Sequence, residues 1–298
     1  MEIIFLGTSC MQPTKERNHP GILITYKGEG LLFDCGEGIQ RQLRCAGIKP
    51  TIITKIFITH WHGDHVLGLP GLLQTLSASE RSEWSRIDIY GPRGTKKYMD
   101  LSLLAFATKE LLPLEVHEVK KGVILKTEEY SISAEELVHS APCVGFAFVE
   151  HDKRKVNMRE VKKLKLPEGP LLGALQRGET VMHNGKKVRP EDVTETIKGR
   201  KIAYATDTRP CDGILRLGKE ADVLILESTY LSDLQDKAKE YLHMTAAEAA
   251  LLANQAQAKK LVLTHFSPRY KKVQDIEEEA RGIFDNSIVA HDFMKIGL

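Results

Sequence analysis

The apolar positions of this 298-residue chain fall mostly in short runs broken by polar and turn-forming residues. Residues 2–6, 22–26, 31–34 and 55–59 read as strands, and the run Ile56-Phe57-Ile58 is dense enough for a strand buried on both faces. Residues 36–45 have helical character that Gly47 ends, and Gly68 to Gln74 looks like the start of another helix. Further strands are predicted over 87–90, 130–134, 144–149, 201–205, 223–226, 261–264 and 287–290. A helix is predicted over 246–256, because Thr245 and Glu248 have the spacing of a capping box. Many short strands interspersed with helices imply a layered α/β or α+β fold.

Composition adds limits. With 42% hydrophobic and 28% charged residues the chain is an ordinary globular one, long enough for one large domain or two small ones. No apolar run has the length of a membrane span, and the first residues, Met1-Glu2-Ile3-Ile4-Phe5, read as a strand rather than a leader. Five scattered cysteines without C-x-x-C spacing point to a reducing, cytoplasmic setting. Residues 151–200 depart from the rest: thirteen Lys and Arg stand against seven Asp and Glu, an excess of six in a chain of net charge +2. This stretch reads as an inserted basic segment, with Asn157 and Glu160 spaced to start a short helix running to Leu166.

The chemistry concentrates in Thr59-His60-Trp61-His62-Gly63-Asp64-His65, which directly follows the buried run at 56–58. Three imidazoles and a carboxylate at the carboxyl end of a strand are a metal-ligand set where open α/β sheets place their sites. Three isolated residues also end or follow predicted strands: His139, Asp207 and His265. The strand before His265 echoes the one before His60, each closing on Thr-His. Singly, each of the three suits a hydrogen-bonded structural role. Together with the cluster they complete two sites: His60, His62 and His139 on one metal, Asp64, His65 and His265 on the other, and Asp207 bridging. Asp64 could also orient the attacking water.

The ordered set Asp34, His60-x-His62-x-Asp64-His65, His139, Asp207 and His265 resembles the motifs of the metallo-β-lactamase superfamily over nearly the whole chain. The resemblance implies an αββα sandwich, one domain over residues 1–298, in which Asp34 supports the ligand loop without binding metal. Pro13-Thr14-Lys15-Glu16-Arg17-Asn18 and Ala205-Thr206-Asp207-Thr208 narrow it, for they are similar to the P-x-K-x-R-N and A-x-D-T motifs of the ribonuclease Z family. His265-Phe266-Ser267 departs from that family's His-Ser-Thr, and His243-Met244-Thr245 from its His-Glu-Ala-Thr, but the leading His stays in both.

That family processes the 3′ ends of tRNA. The resemblance therefore implies an endoribonuclease with two Zn²⁺ per subunit, Mn²⁺ being the other ion such ligands accept. It also implies His243, oriented by Glu227, as proton donor, and RNA contacts by Lys15, Arg17 and Asn18. The basic insert becomes a flexible arm that grips tRNA in a homodimer, through Lys162, Lys163, Lys165 and the element at Gly169-Pro170. Two other functions use the same residues. A phosphodiesterase for small esters leaves the arm without purpose, and a non-catalytic RNA-binding protein requires lost ligands, of which there are none.

Overall fold

A computed structural model describes residues 1–79, 86–105 and 112–298. Among them the strands build two seven-stranded sheets and two antiparallel pairs. The first sheet holds β1 (Glu2–Gly7), β2 (Gly21–Tyr26), β3 (Glu29–Phe33), β4 (Ile53–Phe57), β5 (Ile87–Gly91) and β6 (Leu114–Glu118), with β18 (Lys295–Gly297) beside β1. The second holds β7 (Gly122–Lys126), β8 (Tyr130–Glu136), β9 (Val144–Glu150), β14 (Lys201–Ala205), β15 (Val223–Glu227), β16 (Leu261–Thr264) and β17 (Ser287–Val289), in the order β17-β16-β15-β14-β9-β8-β7. β3 to β6 run parallel, as do β14 to β17.

Side-chain alternation explains the layers. Ile4, Leu6, Leu23, Leu32 and Ile56 pack on one side of the first sheet against Ile39, Leu43, Leu69, Leu72 and Leu73 of its helices. On the other side Phe33 and Phe57 meet Phe146 of the second sheet, at ring-centroid distances of 6.0 and 5.4 Å. The far side of the second sheet is covered by helices Asp212–Gly218, Ala246–Gln255 and Gln274–Arg281. Ala246, Ala249, Ala250 and Ala253 form one buried stripe of the middle helix, and their small side chains let it approach the strands closely. The αββα sandwich implied by the family resemblance is the architecture observed.

The expected strands are present with bounds shifted by at most two residues. The helix expected from Gly36 begins at Ile39, because Gly38 takes a left-handed φ of 81° as its N-cap. β6 and β7 escaped the sequence reading: they lie on sheet edges, half exposed, and carry no sharp alternation. β18 is a three-residue edge strand and escaped for the same reason.

A second compact unit comprises Lys126–Ser131 and Val149–Arg200, taking in the basic insert. It is folded around its own core of Val161, Leu166, Leu172, Leu175, Val181, Val188 and Val193. β10 (Lys153–Val156) pairs with β13 (Thr194–Ile197), and β11 (Val181–His183) with β12 (Lys186–Val188). The latter hairpin turns through Asn184 and Gly185, both at positive φ, as a two-residue primed turn requires. The short basic helix is Met158–Lys163, ending three residues before the expected Leu166. Asn157 caps it by accepting from the Arg159 amide, while Glu160 pairs with Lys163 at 2.7 Å instead of closing a capping box. Gly169, at φ 122°, begins the helix Pro170–Gln176.

Two glycines let the ligand loop lie against the turn after β3. A Cβ on Gly36 would stand 2.2 Å from the Asp64 carbonyl, and one on Gly68 would stand 2.0 Å from the Gly36 carbonyl. The backbones are locked there by Cys35 N–H to His65 O at 2.8 Å and Gly68 N–H to Cys35 O at 3.0 Å. Gly36→Ala is expected to cost roughly 2–3 kcal/mol through overpacking, seen as a lower urea midpoint at unchanged m-value.

Candidate metal centre

The carboxyl ends of β3, β4, β14, β15 and β16 deliver polar side chains to one region of the molecule, beside an open cleft of about 810 Å³. Three of these residues leave their strands in the left-handed region, Asp34 at φ 57°, Asp207 at 52° and His265 at 62°. Non-glycine residues hold such a conformation only where surrounding contacts enforce it.

Asp34 shows what enforces it. Its fully buried carboxylate accepts from the Thr59 amide at 2.8 Å, the Thr59 hydroxyl at 2.9 Å and the Tyr204 hydroxyl at 3.0 Å, and faces His65 Nδ1 at 2.8 Å. Tyr204 reaches it from the second sheet. Asp34 thus touches the ligand loop without joining the ligand groups, the part the resemblance implied. Trp61, between the first two histidines, points away and donates from Nε1 to Thr95 Oγ1 at 2.9 Å, tying the loop to helix Thr95–Leu104.

Two donor groups lie side by side. One comprises His60, His62, His139 and Asp207, the other Asp64, His65, Asp207 and His265, each with donor atoms within 4.8 Å of one another. Asp207 belongs to both, one oxygen to each: Oδ2 lies 3.6 Å from His60 Nε2, and Oδ1 lies 3.3 Å from His65 Nε2 and 3.1 Å from His265 Nε2. The residues expected from the sequence as two metal sites are those the fold brings together.

The donor set also fits metal on its own chemistry. His60 Nε2, His65 Nε2, His265 Nε2 and Asp64 Oδ1 are buried with no aligned hydrogen-bond partner among the described residues. Buried polar atoms without partners are costly, and here they converge. Donors about 2.0–2.2 Å from a tetrahedral zinc lie about 3.4 Å apart, close to the separations above. Burial, reinforced by the neighbouring His65, holds His60 well below the ordinary imidazole range, and burial likewise lowers His139. Both rings are therefore neutral and keep a lone pair. Burial alone would raise Asp207, but the neighbouring imidazoles, His265 and His65 first, outweigh it and hold the carboxylate ionised.

Beside these groups His243 Nδ1 lies 3.0 Å from Glu227 Oε1. Burial disfavours the imidazolium, but the Glu227 charge outweighs it and pushes His243 up to about 9. His243 precedes helix Ala246–Gln255, whose capping box is present: the Glu248 amide donates to Thr245 Oγ1, and Glu248 Oε2 accepts from the Thr245 amide. Arg209, which the sequence did not single out, bonds both the His243 carbonyl and Glu248, and so holds this corner. Thr229, Thr59 and Tyr204 were missed as well. Short polar residues at strand ends carry no pattern of their own.

The P-x-K-x-R-N loop is placed differently from its expected role. Arg17 is 9% exposed and donates to the Tyr270 carbonyl at 2.7 Å, and Asn18 donates to the Glu37 carbonyl at 2.8 Å. Only Lys15 of the three extends to solvent, and the residues just before the motif that line the cleft are Cys10, Met11 and Gln12. Lys162, Lys163, Lys165, Gly169 and Pro170 lie in the second unit.

Removing the Glu227 charge while keeping its shape is a direct check. In Glu227→Gln the His243 imidazole should titrate well below its wild-type value, since burial remains and the compensating charge is gone. Histidine side-chain NMR against pH reads this, and an unchanged value would contradict the assigned cause.

Comparison with known proteins gives the family. A family description for the anti-Pycsar protein Apyc1 matches residues 1–153, and one for the beta-lactamase superfamily domain matches residues 191–266. Ribonuclease Z of Methanothermobacter thermautotrophicus is 41% identical over 298 residues, covering 99% of this chain and 96% of its own. Ribonuclease Z of Pyrococcus horikoshii is 40% identical over 300 residues, covering 100% and 96%. The crystal structure of the short form of human tRNase Z aligns with a TM-score of 0.74 at 32% identity, over 100% of this chain and 99% of its own. Matched from end to end by such relatives, the chain belongs to the ribonuclease Z family of the metallo-β-lactamase superfamily.

Proposed function

We propose that this protein is a metal-dependent endoribonuclease that removes the 3′ trailer from precursor tRNA. It hydrolyses the phosphodiester after the discriminator nucleotide and leaves a 3′-hydroxyl on the tRNA. The observation that carries this reading is the His243–Glu227 pair beside two donor groups that share Asp207. Two zinc ions are the cofactors we assign, with manganese the alternative the same donors accept. His60, His62 and His139 would hold one, Asp64, His65 and His265 the other, and Asp207 both. Such a pair supplies Lewis acidity to the phosphoryl oxygens and a water acidic enough to react near neutral pH.

The side chains do the rest. Asp64 Oδ1, buried and without an aligned partner among the described residues, accepts a hydrogen bond from the attacking water and orients it. His243, charged by its contact with Glu227, gives its proton to the leaving 3′ oxygen. Bound dications would pull its pKa down from about 9, toward the range where an acid both holds and releases a proton at neutral pH. The cleft is open enough for a strand of RNA, with Tyr230, Tyr241 and Arg269 on its wall.

Substrate capture falls to the second unit. Lys162 and Lys165 are exposed on its basic helix and the turn after it, suited to phosphates of a folded RNA. We assign this unit as the arm of a single metallo-β-lactamase domain, gripping tRNA in a homodimer in which the other subunit cuts. Lys15 adds a cation from the first unit. Arg17 and Asn18 act by fixing their loop. The place of action we assign is the cytoplasm, and no helix among the described residues is long and apolar enough to cross a membrane.

Two experiments test this. A labelled precursor tRNA should be cut once, after the discriminator, with the cut lost on chelation and in His65→Ala. Tight tRNA binding without cleavage by zinc-loaded wild type would contradict the enzyme reading. The triple variant Lys162→Ala, Lys163→Ala, Lys165→Ala should lose tRNA affinity and flatten the log–log salt dependence by about 2–3, at unchanged turnover of a small chromogenic diester. An unchanged slope would remove the arm from substrate binding.

A further inference from the structure

We infer that Thr59 and Thr229 are positioning residues, each passing the hold of a buried carboxylate on to one metal-facing imidazole and fixing which ring nitrogen faces the metals. The inference rests on the metal reading above and goes beyond it to the atoms that set ligand geometry.

Proton counting carries the argument. Asp34 already accepts from the Thr59 amide, and Glu227 accepts from the amides of Thr208 at 2.7 Å and Met244 at 3.2 Å. Both are acceptors in these contacts, so a neighbouring hydroxyl must donate to them. Thr59 Oγ1 lies 2.9 Å from Asp34 Oδ2, and Thr229 Oγ1 lies 2.6 Å from Glu227 Oε2. A hydroxyl has one proton, so each threonine is left with lone pairs only. Those lone pairs meet His60 Nδ1 at 3.1 Å and His265 Nδ1 at 3.0 Å. Each ring must then carry a proton on Nδ1, which leaves Nε2 as its nitrogen for a metal. Both Nε2 atoms are buried, have no aligned partner among the described residues and face Asp207.

The two relays match in form. Asp34 holds His65 directly and His60 through Thr59, and Glu227 holds His243 directly and His265 through Thr229. One relayed histidine falls in each donor group. The sequence echo between the two Thr-His strand ends is therefore misleading in one respect. Thr59 serves the histidine next to it, whereas His265 is served by Thr229 at the end of the neighbouring strand and not by Thr264.

The test uses zinc-loaded full-length protein. Long-range ¹H–¹⁵N correlations should show His265 and His60 protonated at Nδ1 and zinc-bound through Nε2. Thr229→Val keeps the shape and removes the hydroxyl, and should weaken one of the two zinc ions by about 10–100-fold in competition with a chromophoric chelator. Thr229→Ser should restore wild-type affinity, which a merely space-filling role would not require. Wild-type correlations showing His265 protonated at Nε2 would overturn the inference, even if the valine variant failed to fold. Zinc affinity indifferent to Thr229→Val would overturn it alone, whereas wild-type protein that binds no zinc would overturn the metal reading and the relay with it.

Discussion

The carboxylate of Asp34 is buried where the two sheets meet, and a charge removed from water costs several kcal/mol unless other partners replace the solvent. Here the replacements are an amide and a hydroxyl from Thr59, a hydroxyl from the opposite sheet and an imidazole from the ligand loop. Each partner is thereby fixed in direction. The carboxylate needs these groups to remain ionised, and they need it to keep their geometry. The left-handed backbone at Asp34, the close approach of Gly36 to Asp64 and the aim of His65 follow from that one demand. Glu227 imposes the same demand on its side of the cleft, fully buried and saturated by Thr208, Thr229, His243 and Met244.

This explains which parts of the site the sequence discloses. His60, His62, Asp64 and His65 stand out because four ligand residues crowd into six positions after a buried strand. His139, Asp207 and His265 are legible only as members of the set, since a lone polar residue at a strand end has many ordinary uses. Thr59, Thr229 and Tyr204 leave no trace: Thr59 and Tyr204 meet Asp34 across 25 and 170 positions, and Thr229 meets His265 across 36. Arg17 and Asn18 run the other way. A cationic and an amide side chain in a polar loop suggest contact with RNA, yet both are turned inward, bonding backbone carbonyls of their own chain.

The fold is legible to a similar depth. Strands buried on both faces declare themselves by unbroken apolar runs, and the helix after His243 by its capping box. The edge strands β6 and β7 do not, because half-exposed positions blur the alternation that would mark them. The basic insert is visible as charge and one short helix, but not in its strands or core. Its core consists of isolated Val and Leu residues spread among lysines, too sparse for any period to show.

The insert has a further consequence for how this kind of molecule can change. It leaves after β9 and returns before β14, and its root is closed by the Glu150 amide on the Arg200 carbonyl and by the Glu150 carboxylate on Arg200 and Lys153. Entry and exit are clasped together, and the material between them carries its own small core. Its length, charge and shape can therefore drift without moving a strand that bears a ligand. If the insert is the arm we propose, recognition and chemistry are separately heritable traits, and a lineage can change its RNA partner while the proposed metal site stays as it was.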